Sequence, residues 1–508
     1  METNAYFPFL ITLLALISIF FIRKSKTKTK RNNLPPSPLP LPILGHLHLL
    51  KHPIHRTLHT LSQKYGPIFT LRLGSRLVVV VSSTSAAEEC FTTNDIVFAN
   101  RPEFVSGKYL TYGNSTLGAA PYGDHWRNLR RLSATEVLST IRLNMSARIR
   151  KEEISILIKK LNRVSSTDFG KVKLKSLFSE LTFNMIMRMV AGKRYYGEEV
   201  SELEEAKKFR EIMERAFQLG SYPGDFLPFL KWVDWQYTKR VESLGKDTDW
   251  FLQNLVDEHR SNEEEGEKGN TMVSHLLRLQ KTQPDYYTDE IIKGLIVTIL
   301  SAATETSSVT IEWAMSNLLN HPEALKKVKE ELDTQIGQDR ILDEEDISNL
   351  PYLQNVISET LRLYPPAPLL APHLSSSSCS LGGYHIPADT ILMVNAWAIQ
   401  RDPKVWEDST SFKPERFESD QVREGSNNNN GYRFLPFGLG RRACPGMGMA
   451  NRVVGLTLGS LIQSFEWKRV SEKEIDMTEG QGISMPKVEP LEALCRARPI
   501  IKKLALDV

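Results

Sequence analysis

Residues 434–446 read FLPFGLGRRACPG and gather glycine, arginine and aromatic residues around one thiol, that of Cys444. An apolar stripe of helical spacing follows over residues 453–465, and Pro445 suits the first turn of that helix. Cys444 is therefore expected at a helix N-terminus, where free N–H groups favour an anion, with further positive charge from Arg441 and Arg442. This setting favours a thiolate, which can serve as a metal ligand or as a nucleophile.

Two other interpretations of Cys444 stay open at this point. A thiolate nucleophile, as in a thiol-dependent hydrolase, would need a partner histidine, and none lies near it in the sequence. A merely buried cysteine in a glycine-rich turn leaves the two adjacent arginines unexplained. The other cysteines, Cys90, Cys379 and Cys495, are too scattered for a disulfide framework or a zinc site.

A second unusual stretch lies within residues 289–320, which predict one long helix that ends at His321-Pro322. Its middle, residues 301–308, reads SAATETSS and contains no large apolar side chain but one carboxylate, that of Glu305. A buried carboxylate is costly unless it has a partner, so Glu305 is a candidate functional residue. The apolar residues on both sides weaken the alternative of a solvated helix face.

The rest of the chain predicts a mainly α fold with a small β portion. Strands are predicted as a hairpin over residues 68–73 and 76–82, and as a single strand over 391–394. A helix is expected to start at Pro53, and helical spacing covers residues 152–161, 183–191, 247–259, 323–336 and 453–465. Two polar stretches, 261–270 and 424–431, predict surface loops. Because no second linker or repeat follows His46, residues 46–508 are expected to form one domain.

Other motifs do not carry a function. Five histidines lie between His46 and His59, but no carboxylate or cysteine completes a metal-binding set. Gly446-Met447-Gly448 begins like a dinucleotide-binding fingerprint, yet Asn451 replaces its third glycine and no strand precedes it. The sequence also lacks HExxH, GxSxG and a phosphate-binding loop.

Residues 1–22 predict a transmembrane signal anchor. The run from Ala5 to Ile22 is almost wholly apolar and just long enough to cross a bilayer. Basic residues follow it at Arg23, Lys24, Lys26, Lys28, Lys30 and Arg31. This order predicts an uncleaved anchor with a cytosolic body, whereas a cleaved signal peptide would place the positive charge first. Residues 23–45 then form a basic stop-transfer segment and a proline-rich hinge, or alternatively a ligand for a proline-recognition domain.

The net charge of the 508-residue chain is +4, and the basic excess lies in this N-terminal tail. The remaining body is close to neutral. A basic surface of the kind that binds nucleic acid is therefore not expected.

The residues around Cys444 resemble a known family. Phe437-x-x-Gly440-x-Arg442-x-Cys444-x-Gly446 matches every position of the haem-binding signature of the cytochrome P-450 superfamily, and the resemblance extends over essentially the whole chain. It implies the cytochrome P-450 fold and bound haem b, with Cys444 as the axial ligand of the haem iron and Phe437 beside the haem. A thiolate in that position pushes electron density toward the iron and favours O–O cleavage.

Further motifs agree with this resemblance. Glu359-x-x-Arg362, together with Arg416 of the sequence PERF, resembles the buried ion-pair network that locks the fold of the family. The residues implied as contacts of the haem propionates are Trp126, Arg130, His373 and Arg442. Residues 302–307 resemble the oxygen-activating motif, with Glu305 and Thr306 as the acid and the alcohol that deliver protons. Ala303 replaces the usual glycine of this motif, and its methyl group is expected to narrow the groove beside the haem.

Within the superfamily the chain resembles the plant 81 family, through residues 75–81, 121–131 and 310–315. Members of that family hydroxylate isoflavonoids and flavonoids or form methylenedioxy bridges on lignans. The resemblance therefore implies an NADPH- and O2-dependent monooxygenase of a small hydrophobic plant metabolite. Hydroxylation of an isoflavonoid or flavonoid aromatic is expected, with methylenedioxy-bridge formation as the alternative. Implied substrate contacts lie in residues 104–120, 217–229, 296–303, 367–370 and 483–485.

The same resemblance implies partners and a location. Electrons would come from an NADPH-cytochrome reductase, for whose acidic surface Arg127 and Arg131 supply positive charge. The chain would lie in the endoplasmic reticulum membrane with a single span and a cytosolic catalytic domain. A rival of another class is an anchored scaffold with this fold and no catalysis. The presence of Cys444, Glu305 and Thr306 argues against it.

Overall fold

The computed structural model describes residues 33–165, 168–217, 219, 222–230, 234–265, 269–418, 431–482 and 484–503. The predicted anchor over residues 1–22 and its basic segment lie outside the described residues, as does nearly all of the loop predicted over 424–431.

Helices dominate the described body, which confirms the predicted class. In chain order they are α1 (Ile54–Tyr65), α2 (Thr84–Phe91), α3 (Val105–Leu110), α4 (Asp124–Leu132), α5 (Thr140–Met145), α6 (Ala147–Ser165), α7 (Leu174–Ala191), α8 (Glu204–Phe217), α9 (Trp235–Glu264), α10 (Met272–Thr282), α11 (Asp289–Ala303), α12 (Glu305–Asn320), α13 (Pro322–Gln335), α14 (Pro351–Leu363), α15 (Ala396–Ile399), α16 (Met447–Ser464) and α17 (Pro499–Lys503). A π-helical turn, Ser133–Val137, follows α4.

The strands form small sheets. They are β1 (Ile68–Leu73), β2 (Arg76–Val81), β3 (Gly170–Lys173), β4 (His373–Leu374), β5 (Cys379–Leu381), β6 (Tyr384–Ile386), β7 (Ile391–Val394), β8 (Phe465–Arg469) and β9 (Glu492–Ala497). The predicted hairpin is present as an antiparallel β1–β2 pair, and the sheet continues through β7 to β4. The sheet β3–β9–β8 and the pair β5–β6 were not predicted, because their short strands lack a clear apolar alternation.

The long helix predicted over residues 289–320 is broken at Thr304 into α11 and α12, which corrects the sequence prediction. The hydroxyl of Thr304 donates to the Leu300 carbonyl at 2.8 Å, and that of Thr306 to the Ala302 carbonyl at 2.7 Å. Such hydroxyls compete with backbone amides and bend helices, which accounts for the break. The stretch Asp289–Asn320 is apolar and long enough to cross a membrane, but 56% of its most apolar window is buried inside the protein.

The core is built around α12, which packs against α7, α14 and α16. Trp313 of α12 is fully buried, stacks on Tyr364 at 4.0 Å between ring centroids, and donates to the Met485 carbonyl at 2.8 Å. Truncating such a side chain costs about 3–5 kcal/mol. This packing fixes α12, which begins at Glu305, against α16, which begins just after Cys444.

Two local predictions need correction. The helix after Cys444 begins at Met447, and Gly446 rather than Cys444 precedes it. Residues 261–264 belong to the last turn of α9 instead of a loop, since the helix continues through polar residues. In the histidine cluster, His46 and His55 are buried and hydrogen-bonded to the Pro38 carbonyl and to the Glu479 carboxylate. Over the described ranges no group of three histidine, cysteine or acidic residues could hold a metal ion.

Candidate active site

A cavity of about 560 Å³ lies between the Cys444 loop and the break that separates α11 from α12. Its wall is mostly apolar, and α14 and the segment 366–373 close it on other sides. Three kinds of polar group interrupt this wall: the Cys444 thiol, a group of basic side chains, and the hydroxyls and carboxylate at the helix break. An apolar cavity with few polar groups is typical of a site for a small hydrophobic molecule.

The loop before α16 holds Cys444 through its backbone. The Cys444 N–H donates to the Phe437 carbonyl at 2.8 Å, and this bond closes the loop. Gly440 has a φ of +67°, and a Cβ there would lie 2.4 Å from Asp95 Oδ1, so only glycine fits. Phe437 and Cys444 line the cavity, and the Cys444 side chain is accessible from the cavity although protein surrounds it. This position is compatible with the predicted role of its sulfur.

The charges around the Cys444 sulfur differ from the sequence prediction. Burial raises the pKa of the thiol, and the Gly446 backbone and Arg130 lower it only in part. The two adjacent arginines are occupied elsewhere, because Arg442 donates to the Ala99 and Ala120 carbonyls and Arg441 pairs with Asp95. Arg130 on α4, which is distant in the sequence, is instead the cation that acts on the thiol.

A buried basic cluster, consisting of Arg101, His373 and Arg442, lines the same cavity. Burial lowers the pKa of Arg442 to about 9, that of Arg101 to about 10 and that of His373 to about 3, and their mutual repulsion adds to the effect on Arg442 and His373. Glu305 is the one acidic residue among the described residues of the cavity wall, and no carboxylate pairs with the cluster there. The cluster is therefore suited to an anionic ligand.

Sequence reasoning missed Arg101. Its Nη1 donates to the Ala371 and Pro372 carbonyls at 2.7 Å, whereas its Nε is buried without a partner. The signal in the sequence is weak, since an isolated Arg-Pro pair between two apolar segments has many explanations. In the structure, the orphaned Nε and the unneutralised cluster fit a group that carries carboxylates, and the apolar wall and the Cys444 sulfur fit its iron and its flat ring. The site therefore fits haem.

The other two residues of the predicted propionate set, Trp126 and Arg130, are not among the described residues that line the cavity. The Trp126 indole N–H donates to the Leu117 carbonyl at 3.1 Å, and the Arg442 guanidinium lies 4.3 Å from the centroid of the indole ring. Trp126 thus supports Arg442 rather than lining the cavity. Arg130 is half-buried and makes no hydrogen bond or ion pair with any residue that the structure describes, and burial lowers its pKa.

Glu305 and Thr306 line the cavity at the helix break. The break directs the Thr306 hydroxyl back to the Ala302 carbonyl, and Ala303, which stands in the place of the usual glycine, also faces the cavity. Burial raises the pKa of Glu305, while Ser484 and Lys175 lower it in part. The Ser484 hydroxyl is buried near this carboxylate but makes no hydrogen bond of normal geometry.

The predicted lock is assembled away from the cavity. Arg362 donates to both oxygens of Glu359 at 2.6 and 2.8 Å, and Arg416 donates to one of them at 3.0 Å. Arg362 also reaches the Gln400 and Ser409 carbonyls at 2.7 Å. These contacts tie α14 to the segment before the Cys444 loop.

The implied substrate contacts meet the cavity only in part. Residues Leu117, Thr298, Ile299, Ala303, Ala367, Leu370 and Ser484 line it. The described part of residues 217–229 does not, because it packs near the β1–β2 turn, where the Ser75 N–H donates to the Phe226 carbonyl.

Comparison with known proteins agrees with this site. The profile of the family described as Cytochrome P450 matches residues 35–491. Cytochrome P450 81E8 from Medicago truncatula is 57% identical, with 98% of this chain and 99% of the relative covered. An isoflavone 3'-hydroxylase from the same plant is 54% identical, with 97% of this chain and 98% of the relative covered. A (+)-piperitol/(+)-sesamin synthase from Sesamum radiatum is 50% identical, and the match covers 100% of this chain and 99% of the relative.

A solved zebra fish cytochrome P450 with progesterone has a TM-score of 0.74 and 27% identity, and the match covers 88% of this chain and all of that one. Its fold is therefore shared by this chain at low identity. The chain belongs to the cytochrome P450 family and is a haem-thiolate monooxygenase.

Proposed function

We propose that this chain uses NADPH and O2 to insert one oxygen atom into a small hydrophobic plant metabolite, by hydroxylating an isoflavonoid or flavonoid aromatic. The observation that carries the proposal is the Cys444 sulfur in an apolar cavity beside an unneutralised basic cluster. The substrate class is supported by the isoflavone 3'-hydroxylase at 54% identity and by two isoflavone 2'-hydroxylases at 51% and 50%.

The residues would hold haem b as follows. The Cys444 thiolate would bind the iron, with Phe437 beside the ring. Arg442, His373, Arg130 and Arg101 would hold the propionates, and Trp126 would support Arg442. When bound, haem supplies the iron that activates oxygen. The Glu359–Arg362–Arg416 network keeps the loop that carries Cys444 in place and has no direct part in the chemistry.

Glu305 and Thr306 would supply protons to the cavity. Because burial raises its pKa, the Glu305 carboxyl retains a proton closer to neutral pH and can donate it. The Thr306 hydroxyl, which donates to Ala302, is oriented by that bond and can pass a proton onward. In Thr306→Ala, we expect electrons to be diverted to hydrogen peroxide. Unchanged product per NADPH consumed would refute this role.

The domain division is part of the proposal. Residues 1–22 form the anchor, 23–45 the basic segment and hinge, and 46–508 the catalytic domain, at the cytosolic face of the endoplasmic reticulum. Exposed apolar side chains just after the tail, at Leu39, Leu41, Ile43 and Leu44, support a membrane-facing hinge. Deleting residues 1–22 should release protein from microsomes. Retention equal to that of the full chain would contradict the anchor.

The electron partner is an NADPH-cytochrome reductase. Arg127 and Arg131 are exposed on α4, the helix that also carries Arg130. Reversing both charges should lower the rate of reduction and flatten its salt dependence. If neither changes, the reductase does not dock on this face.

The first experiment is the spectrum of the reduced protein with carbon monoxide. Thiolate-ligated haem gives a red-shifted Soret band, and Cys444→Ala should abolish it while Cys379→Ala leaves it intact. A folded, colourless wild-type preparation would overturn the proposal.

The second experiment identifies the reaction on isoflavonoids, flavonoids and lignans, with reductase and ¹⁸O2 present. Hydroxylation adds one labelled oxygen to the product. Methylenedioxy-bridge formation, the alternative supported by the sesamin synthase at 50% identity, instead removes two hydrogens without adding oxygen. Absence of any product across these classes would contradict the proposed substrate.

A further inference from the structure

A hairpin between Glu479 and Lys487 carries one wall residue of the haem cavity. The two residues pair as an antiparallel bridge, and the Gly480 N–H donates to the Pro486 carbonyl at 2.7 Å. Ser484 lies in the turn between the two arms and is among the residues that line the cavity. The position of this turn therefore helps to shape the space that a substrate can occupy.

The turn is held mainly through its backbone. The Met485 N–H donates to the Pro366 carbonyl at 2.9 Å, and the Met485 carbonyl accepts the Trp313 indole N–H at 2.8 Å. The Ser484 hydroxyl is buried and makes no hydrogen bond of normal geometry with the residues that the structure describes. The place of Ser484 therefore depends on the hairpin that carries it.

One buried carboxylate holds the base of the hairpin. The Glu479 side chain is 0% exposed, and its Oε2 accepts hydrogen bonds from His55 Nε2 at 2.6 Å and Arg56 Nε at 2.7 Å. Its Oε1 accepts the Trp397 indole N–H at 2.8 Å, and Arg401 Nη2 lies 3.7 Å from the same oxygen. Four side chains thus converge on Glu479 from α1, from α15 and from the turn after α15.

The charges in this network depend on one another. Burial opposes ionisation of Glu479, but the hydrogen bonds from His55 and Arg56 lower its pKa to about 2. Burial lowers the pKa of Arg401 to about 10, and Glu479 raises it in part. Displacing the Glu479 carboxylate would leave Arg401 buried without this counter-charge, which is costly. The network therefore favours a single position of the hairpin base.

Stability alone does not require this network. Apolar side chains of similar volume often hold buried segments equally well, because burying charges costs free energy. Directed hydrogen bonds instead define one geometry. A short ladder joins the base to the turn, since the Val488 N–H also donates to the Thr478 carbonyl at 3.0 Å. A shift of Glu479 should therefore reach Ser484.

We propose that Glu479 is a positioning residue that sets where Ser484 and Met485 stand against the substrate, and thereby which carbon of the substrate is oxidised. Glu479 is not among the described residues that line the cavity, so it acts through the hairpin and takes no part in the chemistry. The inference rests on the proposed function, because it concerns the same cavity and the same class of aromatic substrate.

The first test measures the affinity of two haem-binding probes, imidazole and phenylimidazole, from their absorption spectra in the holoenzyme without substrate. The phenyl ring occupies more of the cavity than imidazole alone does. In Glu479→Gln, the Kd of phenylimidazole should change by at least about threefold while that of imidazole stays at the wild-type value. Glu489→Gln is the matched control, since Glu489 follows the same hairpin, is exposed and has no hydrogen bond or ion pair with the described residues.

A milder variant keeps the test decisive if Glu479→Gln does not fold. The Arg56 side chain is 53% exposed, and Arg56→Met removes one donor to Glu479 while retaining most of the aliphatic stem. It should change the Kd of phenylimidazole in the same direction by about twofold, the scale of a weak hydrogen bond. Wild-type Kd in the folded variants, or an equal change for both probes, would overturn the proposal.

The second test compares the ratio of hydroxylated isomers formed from the isoflavone daidzein, with reductase present and the haem site verified by the carbon monoxide spectrum. This ratio should change by at least about threefold in Glu479→Gln, because small misplacements of a bound substrate have large effects on rate. A merely structural role would lower the amount of active enzyme and leave the ratio unchanged, which would overturn the proposal. If the wild type does not oxidise daidzein, the proposed substrate class fails, and the phenylimidazole titration still decides the role of Glu479.

Discussion

Two groups of buried arginines in this molecule differ in whether the protein itself supplies the opposite charge. In the lock, the Glu359 carboxylate neutralises Arg362, and both side chains are fully buried. In the basic cluster, Arg101 and Arg442 face the cavity without a carboxylate, and Arg101 Nε has no partner. A satisfied ion pair indicates a structural role, whereas an unneutralised cluster indicates a missing anion.

The surroundings of the two groups support this distinction. Every donor of Arg362 is used, by Glu359 or by the carbonyls of Gln400, Ser409 and Ser411. By contrast, burial lowers the pKa of Arg101 to about 10, so the folded protein without its ligand disfavours this charge. The lock should therefore be needed for folding, and the cluster for holding haem.

The largest expected effect is in the lock. Glu359→Gln leaves the buried Arg362 without its counter-charge and the partly buried Arg416 without its carboxylate, and breaking a buried pair costs about 3–5 kcal/mol. We expect a large loss in the free energy of unfolding, measured by denaturant titration, and little haem-loaded protein.

The control is the exposed pair between Glu466 and Arg496, whose atoms lie 2.6 Å apart. Glu466→Gln should cost at most about 1 kcal/mol, because surface pairs contribute little. Equal losses in the free energy of unfolding in the two variants would mean that the lock contributes no more than an exposed ion pair does.

The second effect concerns the cluster and affects binding more than folding. Arg101→Gln removes a cation that the apoprotein does not neutralise, and its amide can still donate to one of the two carbonyls. The apoprotein should lose less stability than Glu359→Gln does. Haem affinity should fall by about 10–100-fold, the worth of one charged hydrogen bond. Titration of the apoprotein with haem measures this affinity. A wild-type affinity in Arg101→Gln would show that Arg101 does not hold haem.

These contrasts also explain what the sequence could predict. Cys444, Glu359 and Arg362 lie in short motifs in which each residue has a fixed spacing to the next, so their contacts follow from local geometry. Arg101 lacks such a context, since its significance comes from its burial beside the cavity and from its unpartnered Nε. The break at Thr304 was also missed, because the apolar segments on both sides of residues 301–308 predict one continuous helix, whereas side-chain hydroxyls compete with the regular backbone bonding at the break.

A smaller effect is expected at the edge of the lock. Arg416 donates to Glu359 at 3.0 Å and to the Glu407 carbonyl at 2.8 Å, but Arg362 still neutralises Glu359 without it. Arg416→Gln should therefore reduce the free energy of unfolding by about 1 kcal/mol, in the range of ordinary hydrogen bonds. Denaturant titration measures it beside Glu359→Gln. A loss as large as that of Glu359→Gln would mean that all three residues act as one unit.

The smallest effect is the pH dependence of haem affinity. The pKa of Arg101 is about 10 without the ligand, and a bound carboxylate would raise it, so binding above pH 10 must take up a proton. Arg101 should thus contribute a roughly fourfold fall in affinity between pH 9 and 10.5, beside the fall that Arg442, with a pKa of about 9, contributes. In Arg101→Gln the total fall over this range should be roughly fourfold smaller, because only Arg442 then takes up a proton. If haem affinity falls equally in wild type and in Arg101→Gln, another group takes up the proton. The charge of Arg101 is then already neutralised in the apoprotein, as that of Arg362 is in the lock.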